Sequence, residues 1–137
     1  MATIMVVDDE KDVVTLIKFI LEKDGHKILE ALNGAQALEL MGVEPPGLLQ
    51  VPDLIVLDVM MPVMDGYTMA TKLREHAETR SVPLLILTAK GQMREVFEMS
   101  PNVAAYIEKP FDPKHLKELI AGMLARRTRP SGPAAGG

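Results

Sequence analysis

Residues 53–66, DLIVLDVMMPVMDG, decide how the chain is folded. Residues 54–57 are apolar and mostly branched, which is typical of a short strand buried on both faces. Asp58 stands where that strand ends, and the Asp65-Gly66 pair marks a turn after it. A carboxylate at the end of a buried strand costs desolvation energy unless other groups compensate it. Either Asp58 caps the following loop, or further charged groups gather around it.

The composition is that of one ordinary globular domain. The 137 residues suffice for one domain with a sizeable core, and 47% hydrophobic with 25% charged residues is typical of a folded chain. A net charge of −4 argues against direct nucleic-acid binding, and the absence of Cys excludes thiolate chemistry and fits a reducing compartment. No signal peptide and no apolar run of roughly 18–20 residues is present. We therefore expect a cytoplasmic domain that does not contact a membrane.

Apolar runs and helical repeats alternate along the chain. Strands are expected at residues 3–7, 27–31, 54–57, 84–87 and 103–107. Helices are expected at about residues 12–23, 35–41, 67–77 and 90–99, and from residue 113 onward. This alternation predicts an α/β fold with a doubly wound, five-stranded parallel sheet. The flavodoxin-like strand order 2-1-3-4-5 places a ligand cleft beyond the carboxyl ends of the first and third strands.

Two segments interrupt this regular alternation or end it. Residues 44–52 hold three Pro and one Gly, so an irregular connection into the third strand is expected. Residues 1–125 are predicted to form the domain. Residues 126–137 are polar and rich in Pro and Gly, which predicts a flexible C-terminal tail.

Acidic residues follow the two strands that border the cleft. Asp8 and Asp9 end the first strand and Asp58 ends the third. Two like charges about 4 Å apart repel by about 4 kcal/mol at an effective dielectric constant of about 20, so a proton is retained or a cation is bound. Oxygen ligands on short side chains suit Mg²⁺. With the metal present, Asp58 can stay ionised and attack phosphorus, which forms an aspartyl-phosphate.

Two further side chains follow the remaining strands. Lys109 comes after the fifth strand and Thr88 after the fourth. Each alone is compatible with an ordinary loop lysine or strand-end threonine. Together with the acids they supply the positive charge and the hydroxyl donor that a transferring phosphoryl group needs.

Four motifs together resemble the receiver domains of two-component response regulators, of the CheY-like type. They are VVDDE at 6–10, LDVMMPVMDG at 57–66, LTA at 87–89 and YIEKPF at 106–111. The resemblance covers about residues 3–124. It implies a single-domain signalling module that loses its phosphate slowly and is not a turnover enzyme. Its phosphodonor would be a sensor histidine kinase or a phosphotransfer protein, and its signal would pass to an unidentified downstream protein.

The resemblance also implies roles for the acidic residues. Asp58 would be the phosphoacceptor. Asp9 and Asp58, with the main-chain carbonyl of Met60, would ligate Mg²⁺, and Asp8 would reach the ion mainly through water.

Three other residues would sense the phosphoryl group in this family. Lys109 would pair with it, and Thr88 would swing in to donate a hydrogen bond. Tyr106 would be the ring that turns inward when Thr88 moves. The Lys109-Pro110 peptide bond would be cis.

Three features depart from the family pattern. Pro101 and no Gly stand ahead of Tyr106, where the family usually has Gly, and the interval from Thr88 to Lys109 is about one residue short. The helix at residues 90–99 is therefore predicted to be short or poorly formed. The Pro- and Gly-rich segment at 42–52 also lengthens the link into the third strand.

Two other interpretations stay open. A phosphohydrolase of the haloacid-dehalogenase type also uses an Asp nucleophile and Mg²⁺, but that family places the nucleophile after its first strand with a second Asp two residues on. Here Asp8 and Asp9 are adjacent, and the chain has no room for a cap domain. Alternatively, the chain is a receiver fragment of a longer regulator whose effector domain is missing.

Overall fold

The computed structural model describes residues 2–59, 64–89 and 103–128. Within these residues the strands are β1 (Thr3–Val7), β2 (Lys27–Ala31), β3 (Leu54–Asp58), β4 (Leu84–Thr88) and β5 (Val103–Glu108). The helices are α1 (Lys11–Glu22), α2 (Gly34–Met41), α3 (Gly66–Arg74) and α4 (Pro113–Thr128). Every predicted strand is present, and each bound lies within one residue of the prediction.

All neighbouring strands pair in parallel, in the order β2-β1-β3-β4-β5. The predicted doubly wound α/β fold is therefore confirmed. Val7 at the end of β1 lies opposite Leu57 of β3, and the next residue, Asp58, lies opposite Leu87 of β4. The carboxyl ends of β1 and β3 consequently lie side by side, at the point where the strand order reverses.

The core lies on both faces of the sheet, because successive strand residues point to opposite sides. All residues of β3 and β4 are buried. One face packs against α2 and α3 through a cluster that includes Met5, Ile55, Leu38, Met41, Met69 and Leu73. The other face packs against α1 and α4 through a cluster that includes Ile4, Val56, Val14, Ile17, Leu116 and Ile120.

Helix α3 is shorter than predicted. It ends at Arg74, and Ala77, the last residue of the predicted helix, is exposed. The buried Thr79 contacts this end, where its hydroxyl donates a hydrogen bond of 2.7 Å to the carbonyl of Leu73. That carbonyl belongs to the last turn of α3, and it also accepts a longer hydrogen bond of 3.4 Å from the amide of His76.

The link from α2 to β3 contains no helix or strand, as predicted. Gly42 ends α2 with a φ of 77°, which Gly adopts readily. The chain then folds back, since the amide of Gly47 donates to the carbonyl of Gly42 at 3.0 Å and that of Gln50 to Met41 at 2.9 Å. The link between α2 and β3 is therefore a turn that main-chain hydrogen bonds hold against the end of α2.

Helix α4 continues to Thr128, so residues 126–128 of the predicted tail are helical. Some predictions fall outside the described residues: the helix at residues 90–99, Pro101, Met60 and the tail at residues 129–137. Among the residues that are described, no helix is both long and apolar enough to cross a bilayer.

Candidate functional site

Three aspartates meet beyond the carboxyl ends of β1 and β3. Asp8 and Asp9 follow β1, and Asp58 is the last residue of β3. One carboxylate oxygen from each of them lies within 4.8 Å of the other two. The structure thus brings together the acids that the strand order placed at one edge of the sheet.

The three carboxylates differ in their exposure to solvent. Asp8 is fully buried and Asp58 nearly so, whereas Asp9 is exposed. The main chain holds Asp8 in place, because its amide donates to Ala31 and its Oδ1 accepts a hydrogen bond of 2.8 Å from the amide of Glu10. Two buried carboxylates next to each other require a compensating positive charge.

Lys109 provides that charge. Its main-chain amide donates to the carbonyl of Thr88 at 2.8 Å, which places the residue at the carboxyl end of β4. Its Nζ lies 2.9 Å from Asp8 Oδ2, 2.9 Å from Glu10 Oε1 and 3.5 Å from Asp58 Oδ2. The ammonium is therefore shared among three carboxylates, and Asp58 is the most distant of the three.

The surroundings of Lys109 favour its charged form. Burial by itself lowers the pKa of Lys109, but the close contacts with Asp8 and Glu10, together with the charge of Asp58, outweigh burial. The pKa of Lys109 is raised above its ordinary value. The side chain is consequently a permanent cation beside Asp58 at neutral pH.

Thr88 and Tyr106 lie on the same face of the sheet. Thr88 is buried at the end of β4 and pairs in register with Glu108. Tyr106 pairs with Ile86, which precedes Thr88 by two residues in β4. Because side chains two residues apart share a face, both point toward the side covered by α2 and α3. The half-buried Tyr106 packs against the core cluster on that side.

The chain after β3 returns to the backbone of Asp58. The amide of Gly66 donates to the carbonyl of Val59 at 2.9 Å, and Asp65 caps α3 by accepting a hydrogen bond from Thr68. A Cβ on Gly66 would lie 2.9 Å from both the carbonyl oxygen of Asp58 and the Cα of Val59. Only glycine allows this approach, so the Asp65-Gly66 pair of the opening motif positions the acceptor strand as well as turning the chain.

Two remaining expectations at the site have different outcomes. The Lys109-Pro110 bond is cis, as the resemblance implied. The carbonyl of Met60 lies outside the described residues. The contact of Glu10 with Lys109 was not predicted, although Glu10 is the third acid of the quoted VVDDE motif.

The donor set fits a magnesium ion. Asp8, Asp9 and Asp58 offer carboxylate oxygens alone, which hard divalent cations prefer, and their spacing allows one ligand to act through water. The exposure of Asp9 leaves room for the waters that Mg²⁺ usually retains.

The chain matches the model of the family described as "Response regulator receiver domain" over residues 4–121. Among curated proteins, it is 36% identical over 124 residues to the alkaline phosphatase synthesis transcriptional regulatory protein PhoP of Bacillus subtilis (strain 168), which covers 90% of this chain and 48% of that protein. It is 39% identical, with the same coverage, to the transcriptional regulatory protein SrrA of Staphylococcus aureus (strain NCTC 8325 / PS 47). The chain spans about half the length of these relatives.

Solved structures with the same fold include two receiver domains of histidine kinases. That from Syntrophus aciditrophicus is 28% identical with a TM-score of 0.81, and the match covers 96% of both chains. That of PA1611 from Pseudomonas aeruginosa PAO1 is 25% identical with a TM-score of 0.76, covers 90% of this chain and 98% of the other, and is described with a magnesium ion coordinated in its active-site cleft. Motifs, strand order and relatives agree, and the chain belongs to the response regulator receiver domains of two-component systems.

Proposed function

We propose that this chain takes a phosphoryl group from a phosphohistidine onto Asp58. The donor would be a sensor histidine kinase or a phosphotransfer protein. The main support is one arrangement: a buried acceptor carboxylate that lies 3.5 Å from an ammonium and is grouped with two other carboxylates. This arrangement stands at the point where ligands bind in doubly wound sheets.

The transfer exchanges one bond to phosphorus for another. An oxygen of the Asp58 carboxylate attacks the phosphorus, the bond from phosphorus to the imidazole nitrogen breaks, and the imidazole leaves with the electron pair and takes up a proton. Asp58 then carries an acyl phosphate. Lys109 neutralises charge on the equatorial phosphoryl oxygens, and the Thr88 hydroxyl donates a hydrogen bond to one of them.

Asp9 and Asp58, with the main-chain carbonyl of Met60, are the proposed ligands of Mg²⁺, and Asp8 acts through water. When bound, Mg²⁺ supplies positive charge that offsets the acidic cluster and the phosphoryl oxygens. The chain's own part is to orient Asp58 through the main-chain contacts around β3 and to place the charge of Lys109 beside it.

A surface beside the site could bind a protein that donates the phosphoryl group. A cavity of about 420 Å³ lies directly beside the site, and its lining includes Glu10, Leu16, Lys109 and Phe111. Leu16 of α1 is 45% exposed and Phe19 is 58% exposed, so apolar surface continues from this cavity along the helix. Exposed apolar surface next to a charged site suits a partner that brings a phosphorylated side chain on a folded element.

The output would depend on Thr88 and Tyr106. A phosphoryl group adds charge and acceptor oxygens that draw the Thr88 hydroxyl toward Asp58. This movement leaves space for the Tyr106 ring on the same face of the sheet. A downstream protein would recognise the changed surface.

The same module is also proposed to be part of a longer regulator. The observation in favour is that the chain spans only 48% of relatives that are named as transcriptional regulatory proteins. In that arrangement the residues after α4 would lead to an effector domain. Receiver domains generally act as signalling modules rather than turnover enzymes, and we extend this to the present chain.

The test is labelling with acetyl phosphate and Mg²⁺, followed by intact mass spectrometry. The wild type should gain one phosphoryl group, and Asp58→Asn should gain none. Asp12→Asn changes an exposed carboxylate at the start of α1 and should label normally. Undiminished labelling of Asp58→Asn would show that another residue is the acceptor.

A further inference from the structure

The ammonium group of Lys109 lies closer to two other carboxylates than to that of Asp58. Its Nζ is 2.9 Å from Glu10 Oε1 and from Asp8 Oδ2, but 3.5 Å from Asp58 Oδ2. An ammonium has three protons to donate. In this state the two shorter contacts go to carboxylates other than the proposed acceptor.

The two stronger partners of Lys109 differ in mobility. The Asp8 carboxylate is fully buried and its Oδ1 accepts from a main-chain amide, so it stays in place. The Glu10 carboxylate is 62% exposed. The main chain of Glu10 is fixed, because its carbonyl accepts hydrogen bonds from the amides of Val13 and Val14 at the start of α1. Only its side chain is free to turn away into solvent.

A phosphoryl group on Asp58 would change this competition. It brings additional negative charge and acceptor oxygens to the position that Lys109 now approaches at 3.5 Å. The third ammonium proton already faces Asp58 at 3.5 Å. A closer contact with phosphoryl oxygens would draw Nζ toward Asp58 and away from one of its two partners at 2.9 Å. Since Asp8 is held by its surroundings, that partner is Glu10.

We propose that Glu10 is a positioning residue that holds the Lys109 ammonium in the unphosphorylated state and thereby opposes phosphorylation of Asp58. This inference rests on the proposed phosphoacceptor function. Glu10 also lines the cavity beside the site. Glu10 therefore sets how easily the site takes up a phosphoryl group, without contacting the reacting atoms.

The effect should appear in donor binding rather than in the maximal rate. An exposed ion pair changes an equilibrium by roughly two- to fivefold. Glu10→Gln is expected to lower the acetyl phosphate concentration for half-maximal labelling by roughly this factor, with little change in the rate at saturation. Asp12→Asn removes an equal charge from the first turn of α1, where Asp12 is exposed, and is the matched control for general electrostatics. It should change the half-maximal concentration much less.

A double-variant cycle isolates the contact with Lys109. In a Lys109→Met background, Glu10→Gln should have no more effect than Asp12→Asn. A second measurement that needs no phosphoryl transfer is calorimetric titration with beryllofluoride in the presence of Mg²⁺. Glu10→Gln should bind this phosphoryl mimic more tightly than the wild type, again by roughly two- to fivefold.

The outcomes separate the two proposals. If the wild type is not labelled at Asp58, the proposed function fails and the role of Glu10 falls with it. If the wild type is labelled but Glu10→Gln behaves like Asp12→Asn in both measurements, only the role of Glu10 is refuted. An equal gain from Glu10→Gln with and without Lys109 would also refute it, because the effect would then not pass through the ammonium.

Discussion

The Lys109 ammonium lies 2.9 Å from the Asp8 carboxylate, although β3 and β4 separate the strands that these two residues follow. The ion pair therefore spans the carboxyl edge of the sheet and passes beside Asp58, which ends β3. Because one partner is fully buried, removal of the other would leave an uncompensated charge in the interior.

Removing this cation should destabilise the domain. Truncating one partner of a buried ion pair costs about 3–5 kcal/mol, and the partial exposure of Lys109 reduces this, so we expect Lys109→Met to lower the free energy of unfolding by about 1–3 kcal/mol in EDTA. Mg²⁺ should restore part of the loss, because it also offsets the acidic charges. Urea unfolding with and without Mg²⁺ measures both effects.

The control for this variant is Lys117→Met. Lys117 forms an exposed ion pair with Asp24 at 3.5 Å, and such pairs contribute little. Its unfolding free energy should stay within about 0.5 kcal/mol of the wild type. Equal losses of unfolding free energy in the two lysine variants would mean that the contact with Asp8 contributes no more to stability than an exposed ion pair does.

Mg²⁺ should stabilise the wild type and fail to stabilise Asp9→Asn. A ligand at ten times its dissociation constant adds about 1.4 kcal/mol to the free energy of unfolding, and the loss of a carboxylate ligand weakens binding. Thermal unfolding over a range of MgCl₂ concentrations checks this. Asp12→Asn should keep the full shift, since Asp12 lies outside the acidic cluster. An unchanged shift in Asp9→Asn would exclude Asp9 as a ligand.

Gly42→Ala should destabilise the turn after α2. Gly42 has a φ of 77°, and an added Cβ would lie 2.2 Å from the carbonyl oxygen of Leu48. We expect a loss of about 1–3 kcal/mol in unfolding free energy. Gly47→Ala, in the same turn, would place its Cβ no closer than 3.9 Å to the atoms around it and should be nearly neutral. If both variants unfold like the wild type, the turn does not have this geometry.

Thr79→Val should loosen the end of α3. The variant keeps the shape of the side chain but removes the hydroxyl that donates to the Leu73 carbonyl. The cost should be about 0.5–1.5 kcal/mol, because the carbonyl keeps its hydrogen bond from the His76 amide. Thr79→Ser keeps the hydroxyl and should retain the hydrogen bond. Hydrogen exchange of the α3 amides, compared among the three proteins, should be faster in Thr79→Val alone. Faster exchange in Thr79→Ser as well would assign the effect to packing of the methyl group.

The strands and their order could be predicted because their signals are local. β3 and β4 are uninterrupted apolar runs, and the alternation with helices restricts the topology. The meeting of Asp8, Asp9 and Asp58 followed from that topology alone. Their roles in metal binding and phosphoryl transfer, like those of Lys109, Thr88, Tyr106 and Met60, stay predictions.

Features that depend on distant contacts could not be predicted in the same way. The end of α3 is contacted by Thr79, a residue that the helical pattern does not include. The contact of Glu10 with Lys109 joins residues far apart in the chain, and periodicity carries no information about such a pair. The VVDDE motif contained Glu10 but offered no reason to distinguish it from an ordinary exposed acid.

The position of β5 at the border of the sheet has a mechanical consequence. The aspartates are attached to the ends of strands that have neighbours on both sides. Tyr106 lies in β5 and Lys109 directly follows it, and β5 is paired only with β4 within the described sheet. A border strand can shift with less disturbance of the core than a central one. The bond to phosphorus would thus form at the end of a rigid central strand. The lysine and the tyrosine that respond to it would both be attached to an edge strand that moves more easily.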